Sequence, residues 1–487
     1  LSYAKVDSAG RTRLPSYLIR VMTGLFPKLH VQTETEENEG FLAEVESAED
    51  GLDDFAGLLR KYREGSLEKT ALPKLRVLQK VYDTPDAEKI REAAFYRYEP
   101  GKLSRQAADS LYAERNQGSV SRLELFASCA YAHFLRYGLE LMPRAEYTFE
   151  AVDFGSVYHG VLELFERSLK EDGISLRTLT EEEMEQRLWD AFSVFTKEYG
   201  ETILYSSARN ERRIRQMHRL LLRSVRTMQY QMQKGSFEPA YFEQKFRMKG
   251  VFPLVGKIDR IDIRREDDEI YLKVMDYKSG KKQFSLDDVY YGLSMQLPVY
   301  MNAAVSFLQE RYPQTTIIPA AMLYYRLQKP IIEIEGTKAE EEIEAEIRKQ
   351  MKPDGLLLGE DCVLTMLDQG FTTDSDVMRV GRKKDGSFKA ASQVISQEDL
   401  GLLLSYTQKK AEQMMQQMAE GEIAVTPLKT ENHTSCDFCE YREVCQMDER
   451  IDGYRLQELT PLTDEERKEA MRRAVYGGSE EGHRDEK

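Results

Sequence analysis

Three strand-like segments, with acids and a lysine set into them, constrain this chain more than any other feature of its 487 residues. YFEQKFRMKG (241–250), PLVGKIDRIDIRR (253–265) and EIYLKVMDYKSG (269–280) show an apolar period of two and are joined by short turns, which predicts neighbouring strands. In the third segment Ile270, Leu272, Val274, Asp276 and Lys278 alternate onto one face. The apolar residues anchor that strand, and an acid and an amine emerge together at its end. In the second, Asp259 shares a face with Ile261 and Ile263. A hairpin turning through EDDE (266–269) makes Asp259 and Asp276 converge.

Phosphodiester hydrolysis requires such groups. Two carboxylates hold a hard cation such as Mg²⁺ (or Mn²⁺), which takes oxygen ligands and keeps several waters. The cation lowers the pKa of a bound water and neutralises charge on phosphoryl oxygens. A lysine alongside adds electrostatic stabilisation. Asp259 and Asp276 are the candidate ligands and Lys278 the candidate catalytic lysine. An Asp-x-Lys alone is usually a pair of surface charges, and the second acid on the neighbouring strand weakens that plain reading.

Helical patterns surround the strands. Ser119 is a cap candidate for LELFASCAYAHFLRYGL, and further helical spacing runs over 154–171, 180–199 and 206–234. A long helix is expected from about Asp287 to Arg311, then a strand over 317–327 and helices over 338–352 and 397–420. His159 and Glu163 lie four apart on one helical face, as do Gln296 and Tyr300. His159 is a candidate imidazole ligand. Gln296 and Tyr300 are placed to touch DNA or brace the lysine. An ordinary packed helix face is the plain alternative for both pairs.

Cysteine supplies a second constellation. Cys436, Cys439 and Cys445 fall within ten residues, and the first two have metal-hairpin spacing. Cys129, in the helix that opens this region, is placed to complete a four-thiolate site suited to zinc or to an iron–sulfur cluster. Cys362 is left over. Five cysteines argue against a disulfide framework and for a reducing cytoplasm.

The net charge of −15 argues against nonspecific coating of nucleic acid by bulk charge, but it permits a local basic channel. No apolar run approaches the roughly 20 residues that span a bilayer, so no membrane is expected. No G-x-x-x-x-G-K-[ST] phosphate loop occurs, so no ATP hydrolysis is expected of this segment. The acidic run 33–55 reads as solvated surface, and the charged tail 477–487 as disordered. The chain opens at Leu1 in what reads as mid-protein sequence, a piece of something larger.

The motifs SRLELFASCAYAHFLRYGLEL, DFGSVYHGVLELF, GKIDRID, VMDYKSG, LSMQLPVY and CDFCEYREVC occur together and in order. In them the chain resembles the C-terminal part of the AddB family, the B-type subunits of ATP-dependent helicase/deoxyribonucleases. The likeness runs from about Ser119 to Met447, and more weakly through GRTRLPSYLIRVMTGLFPKL. The resemblance implies an α/β, restriction-endonuclease-like PD-(D/E)XK core of the RecB-like type, a central mixed sheet flanked by helices. It implies that residues 116–460 form this nuclease domain. Residues 1–115 would be the mostly helical end of a helicase-like region, and 461–487 a tail. It further implies His159 as a metal ligand with Asp259 and Asp276, Lys278 as catalytic, and Gln296 and Tyr300 as the Q-x-x-x-Y pair. A 4Fe–4S cluster on Cys129, Cys436, Cys439 and Cys445 is implied too, as is a heterodimer with the A-type helicase/nuclease subunit that resects DNA ends for recombinational repair. Two alternatives are a CRISPR-associated four-cysteine nuclease, a family of much shorter chains, and a non-catalytic DNA-binding scaffold. The intact acid–acid–lysine set argues against the scaffold.

Overall fold

In the computed structural model, residues 12–29, 47–112, 117–144, 151–198, 204–205, 207–280, 283–327, 330, 339–430 and 433–477 are described. Residues 478–487 of the tail expected to be disordered, and 33–46 of the acidic run 33–55, lie outside them. The chain divides into two compact units, Leu1–Arg97 and Tyr98–Lys487.

In the first unit Ser47 and Asp50 form a reciprocal capping box that starts the helix Ala48–Arg63. With Leu72–Val81 and Pro85–Ala94 it closes over Phe55, Leu58, Leu59, Leu75, Leu78 and Ala87.

The second unit is built on a mixed sheet. Its strands are β1 (Glu238–Met248), β2 (Leu254–Glu266), β3 (Glu269–Lys278), β4 (Thr316–Arg326), β5 (Asp354–Leu358) and β6 (Val394–Ile395), in spatial order 1-2-3-4-5-6. β1, β2 and β3 form an antiparallel meander, β4 runs parallel to β3, β5 antiparallel to β4, and β6 parallel to β5. The EDDE hairpin is as expected: Glu266 faces Glu269, and Asp267 takes the left-handed conformation that a two-residue turn needs.

Helices cover both faces of the sheet, as adjacent residues of β4 show. The Tyr325 hydroxyl donates to the Ser224 carbonyl on α4 (Ala208–Lys234), while the Tyr324 hydroxyl lies 3.3 Å from Ser294, just before α6 (Gln296–Arg311). One layer comprises α2 (Ala151–Glu171), α3 (Glu181–Glu198) and α4. Its apolar stripe includes Val157, Val161, Leu162 and Phe165 from α2 and Met217, Leu221, Val225 and Met228 from α4. The other layer pairs α6 with α7 (Gln397–Ala419). Helices on both sides are why residues on both faces of β3 are covered, with Ile270–Leu272 and Val274–Tyr277 all buried, Asp276 among them. α1 (Val120–Ser128) opens the region with its Ser119 cap, which accepts from the Arg122 N–H at 3.2 Å.

Three elements depart from the sequence reading. The helix expected to run through Cys129 breaks there: α1 ends at Ser128, Cys129 is extended, and a short helix Ala130–His133 follows. The expected helix over 287–311 is broken into α5 (Leu286–Tyr291) and α6 at Gly292, whose φ of +85° ends the first piece. β5 was not anticipated, because its run of five residues is too short for periodicity to separate strand from helix. Among the described residues no helix is long and apolar enough to cross a membrane.

Candidate metal-dependent active site

The β2–β3 ladder ends at the pair Arg260–Met275, so Asp259 and Asp276 are the first residues beyond it. The strands therefore present their acids where the sheet opens. Both carboxylates are buried, and each is held differently.

Asp259 Oδ2 accepts the Tyr277 N–H at 2.8 Å and lies 3.3 Å from His159 Nδ1 on α2. Gly160, beside that histidine, allows α3 to pack closely, since a Cβ there would meet the Phe195 ring at 1.9 Å. Two turns along α2, Glu166 Oε1 accepts from Arg260 Nη1 at 2.7 Å and from the Tyr277 hydroxyl at 2.8 Å. Arg260 also donates to both oxygens of Asp262, at 2.6 and 3.0 Å, and Lys273 pairs with Asp262 at 2.8 Å. This buried network fastens α2 to the residues adjoining both acids, and so sets the approach of His159 to Asp259. Burial raises the Glu166 carboxyl to about 7 despite Arg260, while Asp262, buried but flanked by Arg260 and Lys273, stays low at about 2.

Asp276 turns toward α6. Its Oδ1 accepts from Gln296 Nε2 at 2.7 Å, and its Oδ2 lies 2.5 Å from Lys278 Nζ without a well-aligned hydrogen bond. Gln296 Oε1 accepts from Lys278 Nζ at 2.6 Å, and Gln296 Nε2 also donates to the Tyr300 hydroxyl at 2.9 Å. The glutamine thus spans the acid and the lysine, and Tyr300 orients the glutamine.

The electrostatics are those of crowded carboxylates. Burial, then the charge of Asp259, raises Asp276 to about 7 against the opposing pull of Lys278. Burial disfavours the charged imidazole of His159, but its hydrogen bond to Asp259 and the charges of Asp259, Asp276 and Glu243 outweigh it and hold its pKa above the usual value.

Glu243 was missed in the sequence. The β1–β2 register places Phe242 opposite Arg260 and Gln244 opposite Ile258, and so Glu243 opposite Asp259. It sits at φ +49°, and burial raises its pKa although Lys257 pairs with it. The available signal was an acid in the strand just before GKIDRID. The donor atoms of His159, Glu243 and Asp259 all lie within 4.8 Å of one another. They line a cleft of about 510 Å³ with Gly155, Glu163, Phe195 and Lys257. One imidazole nitrogen and several carboxylate oxygens suit a divalent cation. Asp276 and Lys278, expected at the same point, do not line this cleft and are not in that group; the Asp276 Oδ2 lies instead 2.5 Å from Lys278 Nζ. Glu163 itself pairs with Arg167.

The cysteines lie apart from this cleft. Cys129, Cys436, Cys439 and Cys445 line one cavity of about 690 Å³. Burial, and then the neighbouring thiols, push Cys436 up to about 11, and burial raises Cys129 and Cys445. Cys362 is exposed and lines a different pocket.

Residues 117–446 match the family model of the PD-(D/E)XK nuclease superfamily. The chain belongs to that superfamily. The matched span begins just before α1 and ends just past Cys445, so it contains both constellations. Nucleases of this superfamily generally use divalent metals. The chain is also similar to proteins named as the B-type subunit of ATP-dependent helicase/deoxyribonuclease. That of Lachnoclostridium phytofermentans is 34% identical over 479 residues, 96% of this chain and 41% of that protein. Those of Clostridium kluyveri and Bacillus subtilis are each 30% identical, over 96% of this chain and 42% of theirs. The chain spans about two fifths of the length of the curated relatives it matches.

Proposed function

We propose that this chain supplies the DNA-cleaving module of an ATP-dependent helicase–nuclease that resects double-strand ends for recombinational repair. It would hydrolyse phosphodiester bonds of single strands fed from the unwound duplex. The observation that carries this reading is the convergence of Asp259, Asp276 and Lys278 where β2 and β3 part, with His159 and Glu243 alongside. Mg²⁺ or Mn²⁺ would be held by His159, Asp259 and Asp276, with Glu243 added by the geometry. When bound, the cation supplies an acidified water and neutralises phosphoryl charge.

The chain's own residues do the rest. Tyr277 N–H fixes the Asp259 carboxylate. Asp276 would have to be ionised to act as a ligand, and because burial and Asp259 raise its carboxyl to about 7, cation binding would strengthen as pH rises through that range. Lys278, held by Gln296 at 2.6 Å, would direct its ammonium at the phosphate, and Tyr300, bonded to Gln296, would keep that glutamine in register.

The four cysteines would hold a 4Fe–4S cluster that staples α1 to the chain's end. Thiolates on a single zinc, at about 2.3 Å, lie within about 4 Å of one another. Among the described residues no three Sγ atoms come within 4.8 Å of one another, which favours a larger group. Residues 1–115 would be the end of a helicase-like region, with the A-type helicase/nuclease subunit as partner and the cytoplasm as compartment. The test is Asp276→Ala in the assembled two-subunit protein, with each strand end-labelled. Loss of one strand's cleavage is expected, and unchanged cutting of both removes the assignment.

A further inference from the structure

We propose that the outer face of the β1–β2 ribbon is a phosphate track, on which Lys257, Lys245, Arg247 and Lys249 hold the backbone of a single DNA strand leading from the acidic cleft. This inference rests on the nuclease reading and names the surface that its substrate occupies.

Register places the cations. Lys245 is directly opposite Lys257, and Arg247 is opposite Val255. Residues directly opposite, and residues two apart, share a face. Lys257 lines the cleft beside Glu243 and Asp259, so the face that continues from the cleft carries Lys245 and then Arg247, with Lys249 just past the strand's end. All three are exposed, while the intervening Phe246 and Met248 pack against the core. The step between them is about 6.7 Å, two residues of an antiparallel strand, a spacing suited to successive phosphates of an extended strand.

The charges argue for an anion. Like charges directly across a strand pair are destabilising, and Lys245 faces Lys257. Glu243 offsets Lys257, but Lys245, Arg247 and Lys249 form no ion pair with any described residue. An uncompensated row of cations in a chain of net charge −15, running from a cluster of phosphodiester-cleaving groups, is complementary to a phosphate backbone. Lysines on an edge strand also discourage sheet-to-sheet pairing. That role needs charge without a ligand, and the experiment separates the two.

The test uses the full chain in EDTA, so that nothing is cut, and measures binding of a fluorescent oligo(dT) single strand over a salt series. Each phosphate neutralised on a single strand contributes about −0.7 to the slope of log K against log salt. Replacing Lys245, Arg247 and Lys249 together by Ala should therefore weaken binding and make the slope shallower by about 2. The triple exchange K245R/R247K/K249R should restore it. An unchanged slope, or wild-type binding without salt dependence, overturns the track. Aggregation of the alanine variant with its slope intact does so too, and points to edge protection. Cleavage with Mn²⁺ by the wild-type chain assembled with the A-type subunit is scored separately. Binding through these residues with no cutting by the assembled two-subunit protein would refute the nuclease reading and leave the track standing.

Discussion

Asp276→Asn should make the metal-free protein more stable, and increasingly so as pH rises. Burial and the adjacent Asp259 raise Asp276 to about 7 in the folded chain, against about 3.9 when unfolded. Below pH ~4 the acid is protonated in both states and contributes nothing. Between about 4 and 7 the folded state retains a proton that the unfolded state has released, so folding loses ground steadily as pH rises. Above about 7 the penalty is complete, on the order of 4 kcal/mol at about 1.4 kcal/mol per pKa unit. Asparagine is neutral throughout and carries no such penalty. The advantage of the variant should therefore widen by roughly 3 kcal/mol between pH ~5 and ~8. Urea unfolding in EDTA measures this directly. Trp189 is the sole tryptophan and lies in α3, so its fluorescence reports the Tyr98–Lys487 unit. A difference that stays constant across that range would refute the crowding of the two acids. Mn²⁺ at the higher pH should stabilise the wild type more than the variant.

Other consequences concern the supports of the site. Glu166→Ala should cost about 3–5 kcal/mol, because it leaves Arg260 buried with one carboxylate fewer. Glu166→Gln, which can still accept from Arg260 and Tyr277, should cost less than half of that in urea unfolding, and equal costs would contradict the pairing. Lys278→Met should slow cleavage by about 10²–10³ without weakening Mn²⁺ binding by calorimetry, since the lysine competes for Asp276. Weaker metal binding would show that it supports the ligands instead. Cys129→Ala should abolish the visible absorption of anaerobically purified protein and lower its melting temperature, and a melting temperature unmoved by the change would count against a staple.

Much of the site was legible because the relevant residues are close in sequence. Asp276 and Lys278 are two apart, and the short EDDE turn allowed only one sensible pairing of their strand with that of Asp259. Gln296 and Tyr300 were read from their four-residue spacing as touching DNA or bracing the lysine, and Gln296 does bond to both Lys278 and Tyr300; the break at Gly292 that makes Gln296 the first residue of its helix was not foreseen. Glu243 escaped notice because a lone acid in a strand carries no signal until register puts it opposite Asp259. Arg260 and Glu166 likewise gave no hint that they would be buried together, since charged residues usually stay outside unless paired.

The sequence by itself determined the alternating strands, the helical stripes, and the acids, histidine and cysteines proposed to hold a cation and a thiolate-held group. These follow from local periodicity and from the chemistry of each residue type. Only the tertiary structure decided which acids meet. The parting of β2 and β3 after Arg260 and Met275, the strand β1 at the edge, and the anchoring of α2 through Glu166 depend on contacts between segments tens to hundreds of residues apart. No local pattern encodes those distances, because they are set by how the two helical layers pack on the sheet.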